Sequence, residues 1–417
     1  MRQSVLGAGP ILFLTYGNGH VAKVAPVVKA LMACGVDCVV MALTLGYKQA
    51  LGLGLQPVGY RDFLSLAADQ ASALAHGCRL LSDNLHPDVA EFESTCYLGI
   101  NYAEWVECYG ERGAAERYAA RGRRGFLPVQ FMGRVIDSLK PSLVVSTSSP
   151  RSEQAAIEAA VKRGIPSMTM MDLFALPHDI FLRQAVHADV ITVLSGFAKD
   201  NLTAAGIDPA RIVVTGCPAY DAMFDSANEA AGNELRHTFG WQDKKIVMWA
   251  GNLEEEGPGV TGETRGTALG LRVEERLRRW VEENLDAALI VRYHPAQYHL
   301  FPNLGVHPRV YLSDPVADQL QPQLHAADII VVQTSTVGFE AALVGKRVLA
   351  LSYSPMVINF DFDYGRLGLG ESVSTLQALV PAIEGKGIAQ RDRRAFPPDG
   401  PATPRVVEAI LKLTHTI

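Results

Sequence analysis

The sequence predicts an α/β protein built from two doubly wound, mainly parallel sheets, and three observations predict it. Short β-rich apolar runs recur, each followed by an amphipathic helical stretch, which is the pattern of βαβ units with helices on both faces of a sheet. That alternation breaks off and restarts after residue 240. The chain also has 417 residues, beyond the size at which one core stops growing, so two domains are the default.

Taken in order, ILFLTY (11–16) reads as a strand and residues 21–35 as a helix ending at Gly35. VDCVVMAL (36–43) is the next strand; SLVVSTS (142–148) precedes a helix over 152–164. Strands over 165–173, 189–195 and 211–216 complete a first domain, residues 1–218. Within it, the segment of about 60–135 breaks the regular alternation and carries aromatics and charges on helical spacing. Two readings fit that segment: helices packed on the domain, or an insertion that shapes an acceptor site. The small, polar stretch DSANEAAGNE (225–234) places a linker at 219–243. The second domain, 244–395, holds strands over 245–251, 287–294, 309–313, 328–335 and 346–352, with helices over 274–285 and 339–346. After the Pro/Gly-rich 396–404, a tail helix over 403–415 has either domain open to it.

Composition excludes several classes. The net charge of −6 gives no whole-chain grip on nucleic acid. An apolar fraction of 48% excludes a disordered chain. The six cysteines form no CxxC pair and no Cys/His cluster with zinc spacing, so reduced, mostly buried thiols are expected. The opening residues lack a secretory pattern, and no apolar run approaches the ~20 residues that cross a bilayer. A cytoplasmic location is expected, with Arg121, Arg123 and Arg124 able to make a weak peripheral contact with acidic lipid.

Ligands on open parallel sheets bind at the carboxyl ends of the strands, so the loops there carry the candidates. In TYGNGH (15–20), Gly17, Asn18 and Gly19 form a tight loop before a helix, and free N–H groups at its start favour anions. His20 sits at that helix start, either as a base that takes a proton from a hydroxyl or as a structural histidine. GNGHVA fits a relaxed dinucleotide fingerprint, yet the next strand has no acid to hold a ribose, which disfavours hydride chemistry. In STSSPRSE (146–153), Arg151 at a helix start opposes the helix dipole unless Glu153 or an anionic acceptor lies nearby.

The second domain offers three further loops. Residues 251–270 hold six glycines, where a phosphate-cradling turn is expected from Gly251 onward with Arg265, against repulsion from Glu254, Glu255 and Glu256. His294 precedes Pro295 at a strand end, extended and able to donate to a phosphate oxygen, or else structural. Thr334, Ser335 and Thr336, followed by Gly338 and Glu340, suit a phosphate and a ribose; simple N-capping by Ser335 or Thr336 is the other reading.

On these residues the chain resembles the GT-B glycosyltransferase superfamily, including its relative the non-hydrolysing UDP-N-acetylglucosamine 2-epimerase. GNGHVAKVAPVVKAL (17–31) is similar to the opening of both groups. GIDPARIVVTGCPAYDAM (206–223) resembles the stretch that ends their first domain. RYHPAQ (292–297) resembles the HP motif of sialyl- and Kdo-transferases, and TSTVGFEAALVGKRVLAL (334–351) the hydroxyl-rich segment of capsule-type enzymes. The chain departs from the epimerases in lacking their GTRPE and GDT strings and their paired acids. No DxD-type dyad stands in a donor loop.

The resemblance implies a GT-B fold, two Rossmann-like domains facing across a cleft, and a metal-independent glycosyltransferase in bacterial glycan or glycoconjugate synthesis. A nucleotide-sugar is then the co-substrate, with no cofactor. His294, Thr334, Ser335, Thr336, Gly338, Glu340, Gly251 and Arg265 are expected to hold it. Gly17, Asn18, Gly19 and Arg151 are expected to receive a glycan, lipid-linked or small-molecule acceptor, with His20 as the base. A sugar-nucleotide 2-epimerase or hydrolase, and a non-catalytic nucleotide-sugar binding protein, are the alternatives.

Overall fold

The computed structural model describes residues 9–17, 19–387 and 392–415. They divide into two compact units, one running to Ala219 and including the chain from Pro397 onward, the other spanning Tyr220–Phe396.

The first unit is built on a seven-stranded sheet: β1 (Ile11–Thr15), β2 (Cys38–Ala42), β3 (Pro57–Val58), β4 (Leu143–Thr147), β5 (Ser167–Met170), β6 (Val190–Val193) and β7 (Ile212–Val214). Its order is β3-β2-β1-β4-β5-β6-β7, and every ladder is parallel. Ile11 pairs with Cys38 on one side and Leu143 on the other, so β1 lies between the two directions in which the sheet is wound. β1 is buried along its whole length, which is why a parallel strand reads as an unbroken apolar run. Its side chains alternate between faces. Ile11 and Phe13 pack with the helices Gly19–Ala33 and Thr403–His415, through Val24, Val28, Val406 and Ile410. The tail helix therefore belongs to the first unit. Leu12 and Leu14 pack on the opposite face, against the 60–135 segment.

That segment is helical: Gln70–Leu81, Glu91–Arg121 and Val129–Leu139. Tyr60, Tyr97, Trp105, Phe126 and Phe131 fill a core with the sheet, so the segment supplies one of the two covering layers. The long helix is kinked at Gly110, whose φ of 69° interrupts it.

The second unit holds β8 (Lys245–Gly251), β9 (Ala287–Tyr293), β10 (Val310–Leu312), β11 (Ile329–Val332), β12 (Arg347–Leu351) and β13 (Glu371–Val373). The order is β10-β9-β8-β11-β12-β13, again all parallel. Val247, Trp249, Leu289 and Val291 pack one face against Val273, Leu277 and Val281 of the helix Ala268–Glu283. The segment expected as a linker, 219–243, contains the helix Ser226–Thr238, capped by Asp225, whose carboxylate accepts the Ala227 N–H at 2.9 Å. Among the described residues no helix is long and apolar enough to cross a membrane.

Candidate functional site

In the first unit the candidates gather at the carboxyl ends of β1 and β4, the strands that flank the reversal of strand order. His20 lies in the first turn of the helix Gly19–Ala33. Its Nδ1 is 2.6 Å from Thr147 Oγ1, at the end of β4. The Thr147 hydroxyl donates its single proton to Glu153 Oε1, so toward His20 it acts as acceptor. Nδ1 therefore carries the ring proton, and Nε2 presents a lone pair. Burial lowers the His20 pKa; Glu153 pulls it up and Lys23 pushes it further down. The ring is consequently neutral at pH 7, as a base must be.

Glu153 is fully buried and is the anchor of this arrangement. Besides Thr147 it accepts the Tyr16 N–H at 2.9 Å and the Ser149 N–H at 2.8 Å, tying the loop after β1 to the loop after β4. Glu153 makes no direct ion pair with Arg151, the first of the two readings of that residue, although its charge still favours the charged guanidinium. That guanidinium instead lies over the Tyr16 ring, 4.4 Å from its centroid, and bonds Tyr97. One turn beyond His20, Lys23 is buried and pairs with Asp172 at 2.9 Å. Burial alone would raise the Asp172 carboxyl, but Lys23 outweighs it and the pKa falls. Gly17 serves packing: a Cβ there would stand 2.9 Å from Leu45. Gly19 has open space beside it. Asn18 lies outside the described residues.

In the second unit the candidates stand at the carboxyl ends of β8, β9 and β11. His294 follows β9 and is exposed. Its Nδ1 accepts the Ala296 N–H at 3.2 Å, which leaves Nε2–H as an outward donor in the neutral ring. β11 ends at Val332, so Thr334, Ser335 and Thr336 form a loop before the helix Val337–Leu343. Ser335 Oγ accepts the Val337 N–H at a long 3.4 Å and keeps its own proton available. Thr336 makes no side-chain capping bond, so the capping reading does not account for it. Thr334 is turned to Met356 Sδ at 2.9 Å. Glu340 is partly buried; burial pushes its carboxyl up to about 7, although Arg292 pulls the other way. Gly338 and Gly251 serve packing, since a Cβ would stand 2.9 Å from the Tyr364 ring and 2.8 Å from Trp249 respectively. Tyr364 also fixes the loop, donating to Ser335 O at 2.6 Å and accepting the Phe339 N–H at 3.2 Å.

The glycine-rich loop differs from its expected character. Glu254 is buried: it accepts Gln333 Nε2 at 2.6 Å, the Ser354 hydroxyl and the Met356 N–H at 2.9 Å. It anchors the loop after β8 to the loops after β11 and β12. Glu256 pairs with Arg265, which is thereby neutralised and mostly exposed. Two of the three glutamates are thus engaged, and Arg265 is engaged with one of them, not turned free toward a phosphate. Sequence reasoning missed Thr147, Gln333 and Tyr364, and gave Glu254 a repelling role in place of its anchoring one; the one available signal was a strand-end polar residue, and it is weak.

A model of the CDP-glycerol:poly(glycerophosphate) glycerophosphotransferase family matches residues 159–412, more than half of the chain. The chain belongs to that family. It is accordingly a transferase of GT-B type, the reaction class expected from the sequence, while the group named by its family is a glycerophosphate. No curated protein sequence matches the chain. Solved structures show the same fold as this glycerophosphotransferase-family member at low identity. UDP-GlcNAc 2-epimerase from Methanocaldococcus jannaschii has a TM-score of 0.59 at 15% identity, over 97% of this chain and 99% of its own. The S. aureus MnaA–UDP co-structure has 0.57 at 17%, over 98% of each. A histidine-to-asparagine variant of the wall teichoic acid polymerase TagF with CDPG has 0.53 at 13%, over 100% of this chain and 91% of its own. The expected kinship of fold with the 2-epimerases is therefore present.

Proposed function

We propose that the chain moves a glycerophosphate-type group from a CDP-activated donor to an acceptor hydroxyl, in the synthesis of a bacterial phosphate-containing glycan. The observation that carries this reading is the His20–Thr147–Glu153 chain of hydrogen bonds, which leaves a neutral imidazole with its Nε2 lone pair free. Family membership and the nucleotide ligands named for MnaA and TagF support a nucleotide-activated donor.

In this mechanism Nε2 of His20 takes the proton as the acceptor oxygen bonds to the donor phosphorus. The bond from that phosphorus to the nucleotide oxygen breaks, and CMP leaves with the electron pair. Charge then develops on the departing phosphate. His294 Nε2–H and the hydroxyls of Ser335 and Thr336 donate to it, which stabilises the transition state more than the ground state. Glu340, once ionised, accepts the two hydroxyls of the ribose. Thr334, Gly338 and Gly251 shape the loops, and Arg265 has no part. The donor is a co-substrate, and no resident cofactor enters.

A thermal-shift panel of CMP, CDP, CDP-glycerol, UDP and UDP-N-acetylglucosamine tests the donor assignment, because a ligand of the native state raises its melting temperature. The cytidine ligands are expected to stabilise most, and less so in His294→Ala. Stabilisation by UDP-N-acetylglucosamine alone, with its 2-epimer formed in the absence of acceptor, would favour the epimerase reading.

A further inference from the structure

Lys23 is the one charged residue on the buried face of the helix Gly19–Ala33, whose other members there are valines, an alanine and Leu31. A lysine taken out of water is strongly disfavoured unless it is paired, and an apolar side chain of similar volume would pack at least as well. Its ion-pair partner is Asp172, 2.9 Å from Nζ. We propose that Asp172, held by Lys23, is a specificity-determining residue of the transfer. Its outer carboxylate oxygen accepts a hydrogen bond from the acceptor hydroxyl next to the one that His20 deprotonates, so the acceptor end is selected as a neutral vicinal diol. The proposal rests on the transferase reading and adds the residue that chooses which hydroxyl reacts.

Three observations carry it. The first is position. Asp172 stands two residues beyond β5, at the sheet edge where Met170 pairs with Thr147 of β4. Its backbone N–H donates to Ser148 Oγ at 3.2 Å, while His20 is held by Thr147, the preceding residue. Two consecutive residues of one loop thus fix the base and the carboxylate. His20 and Lys23, three residues apart, share a side of their helix, so the ion pair brings Asp172 to the base from a second direction. Each responds to the other's charge: Asp172 raises the His20 pKa, and His20 lowers that of Asp172.

The second is unused bonding capacity. Oδ1 takes the Lys23 ion pair and the Leu173 N–H at 3.1 Å. Oδ2 has no partner among the described residues, and the side chain is 43% exposed. An ionised carboxylate only accepts, so it suits the O–H donors of a polyol. It also repels a phosphate or carboxylate in that place, which directs it to the neutral end of an acceptor. Asp179, the other acid of this loop, is already engaged with the Phe181 N–H at 2.9 Å.

The third is the backbone between them. Leu173 has φ 40° and Ala175 φ 49°, in the left-handed region that residues with side chains rarely occupy. The loop is pinned by Ser148 on one side and by Asn201 on the other, whose Nδ2 donates to Phe174 O at 2.9 Å. Such strain persists where the surroundings over-determine it, and it gathers at ligand clamps.

Calorimetric titration of the whole chain, without nucleotide, tests the assignment. The probes are three methyl phosphodiesters that differ only in their second ester group: 2,3-dihydroxypropyl, 3-hydroxypropyl and 2-hydroxypropyl. The parent is expected to bind the diol about tenfold or more tightly than one of the single-hydroxyl probes, and Asp172→Asn to reduce that preference to about twofold or less. The hydroxyl missing from that probe is the one Asp172 holds. Asp172→Asn leaves Lys23 buried without its counter-charge, so the double variant Lys23→Met, Asp172→Asn is measured beside it and should show the same loss. The charged groups facing the carboxylate are Lys23 and His20 from the helix and Asp179 from its own loop. In Lys23→Met alone the preference should therefore appear at higher pH than in the parent, a shift that packing alone would not give. Asp137→Asn, ahead of β4 and so at the opposite sheet edge, should leave the preference unchanged. Melting temperatures confirm that the variants fold. Equal binding of the three probes by the parent, no binding of the diol, or a preference intact in the double variant would each overturn the assignment. A chain that shows the preference yet never consumes a CDP donor would sink the transferase reading while Asp172 keeps its role. Transfer from CDP-glycerol with the same kcat/KM for diol and single-hydroxyl acceptors would do the reverse.

Discussion

Glu153 reaches His20 through one intervening hydroxyl: its Oε1 takes the Thr147 proton, and the same Thr147 oxygen lies 2.6 Å from His20 Nδ1. A buried carboxylate thereby sets the tautomer of an imidazole it does not touch. In the proposed mechanism the tasks are separate, with His20 as the proton acceptor and Thr147 and Glu153 as positioning residues.

Removal of the base comes first. His20→Ala should lower kcat by roughly 10²–10⁴-fold, the usual contribution of a general base, while the affinity for CMP measured by calorimetry stays unchanged. Thr147→Val keeps the shape but removes the acceptor that holds the proton on His20 Nδ1, so kcat should fall at least roughly tenfold with little change in KM. Unaltered turnover in His20→Ala would remove His20 from the reaction, and in Thr147→Val would remove Thr147 as its positioning residue.

The pH profile follows from the sign of the His20 shift. Burial lowers its pKa, so the unprotonated base persists below the ordinary histidine value of 6.5. The acid limb of kcat/KM should therefore have its midpoint below that value, activity being lost only as the pH falls through it. Glu153 raises the His20 pKa, so Glu153→Gln should move the limb to still lower pH. A limb that moves upward would contradict the assignment.

Glu340 gives a dependence of the same sign, with a higher midpoint, in nucleotide binding. Its folded-state pKa is raised to about 7, so the carboxyl is protonated below that value. Accepting two ribose hydroxyls requires the ionised form, so binding at pH 6 must release a proton. CMP affinity should rise with pH and level off above about 7. Calorimetry in buffers of different ionisation enthalpy should detect the released proton, and Glu340→Gln should flatten the profile.

Loop anchoring by Glu254 is a stability claim. Glu254→Ala leaves Gln333, Ser354 and the Met356 N–H without their buried acceptor, so unfolding should become easier by about 2–4 kcal/mol. Chemical denaturation measures this, and a change under about 0.5 kcal/mol would show that the carboxylate is dispensable.

Much of the fold was legible because parallel strands buried on both faces leave continuous apolar runs, as in Ile11–Thr15 and Lys245–Gly251. His20 was legible too, since a glycine loop entering a helix places the next side chain at the sheet's carboxyl edge. Glu153 as an anchor was not, because its partner Tyr16 is 137 residues away and meets it only when β4 lies beside β1. Nor does a run of three glutamates reveal which one is buried; only the folded loop sets Glu254 apart from Glu255 and Glu256. The helix Ser226–Thr238 was hidden by its small, polar composition, although Asp225 ahead of it is a capping signal.

The account rests on group transfer from a cytidine-activated donor. Phosphorus NMR of the full chain with CDP-glycerol and a glycerophosphate-primed acceptor follows that transfer directly. We expect CMP and a new acceptor-linked phosphodiester to appear in equal amounts, and neither to form with His20→Ala. An unchanged CDP-glycerol spectrum, from a preparation that converts UDP-N-acetylglucosamine to its 2-epimer, would contradict the account.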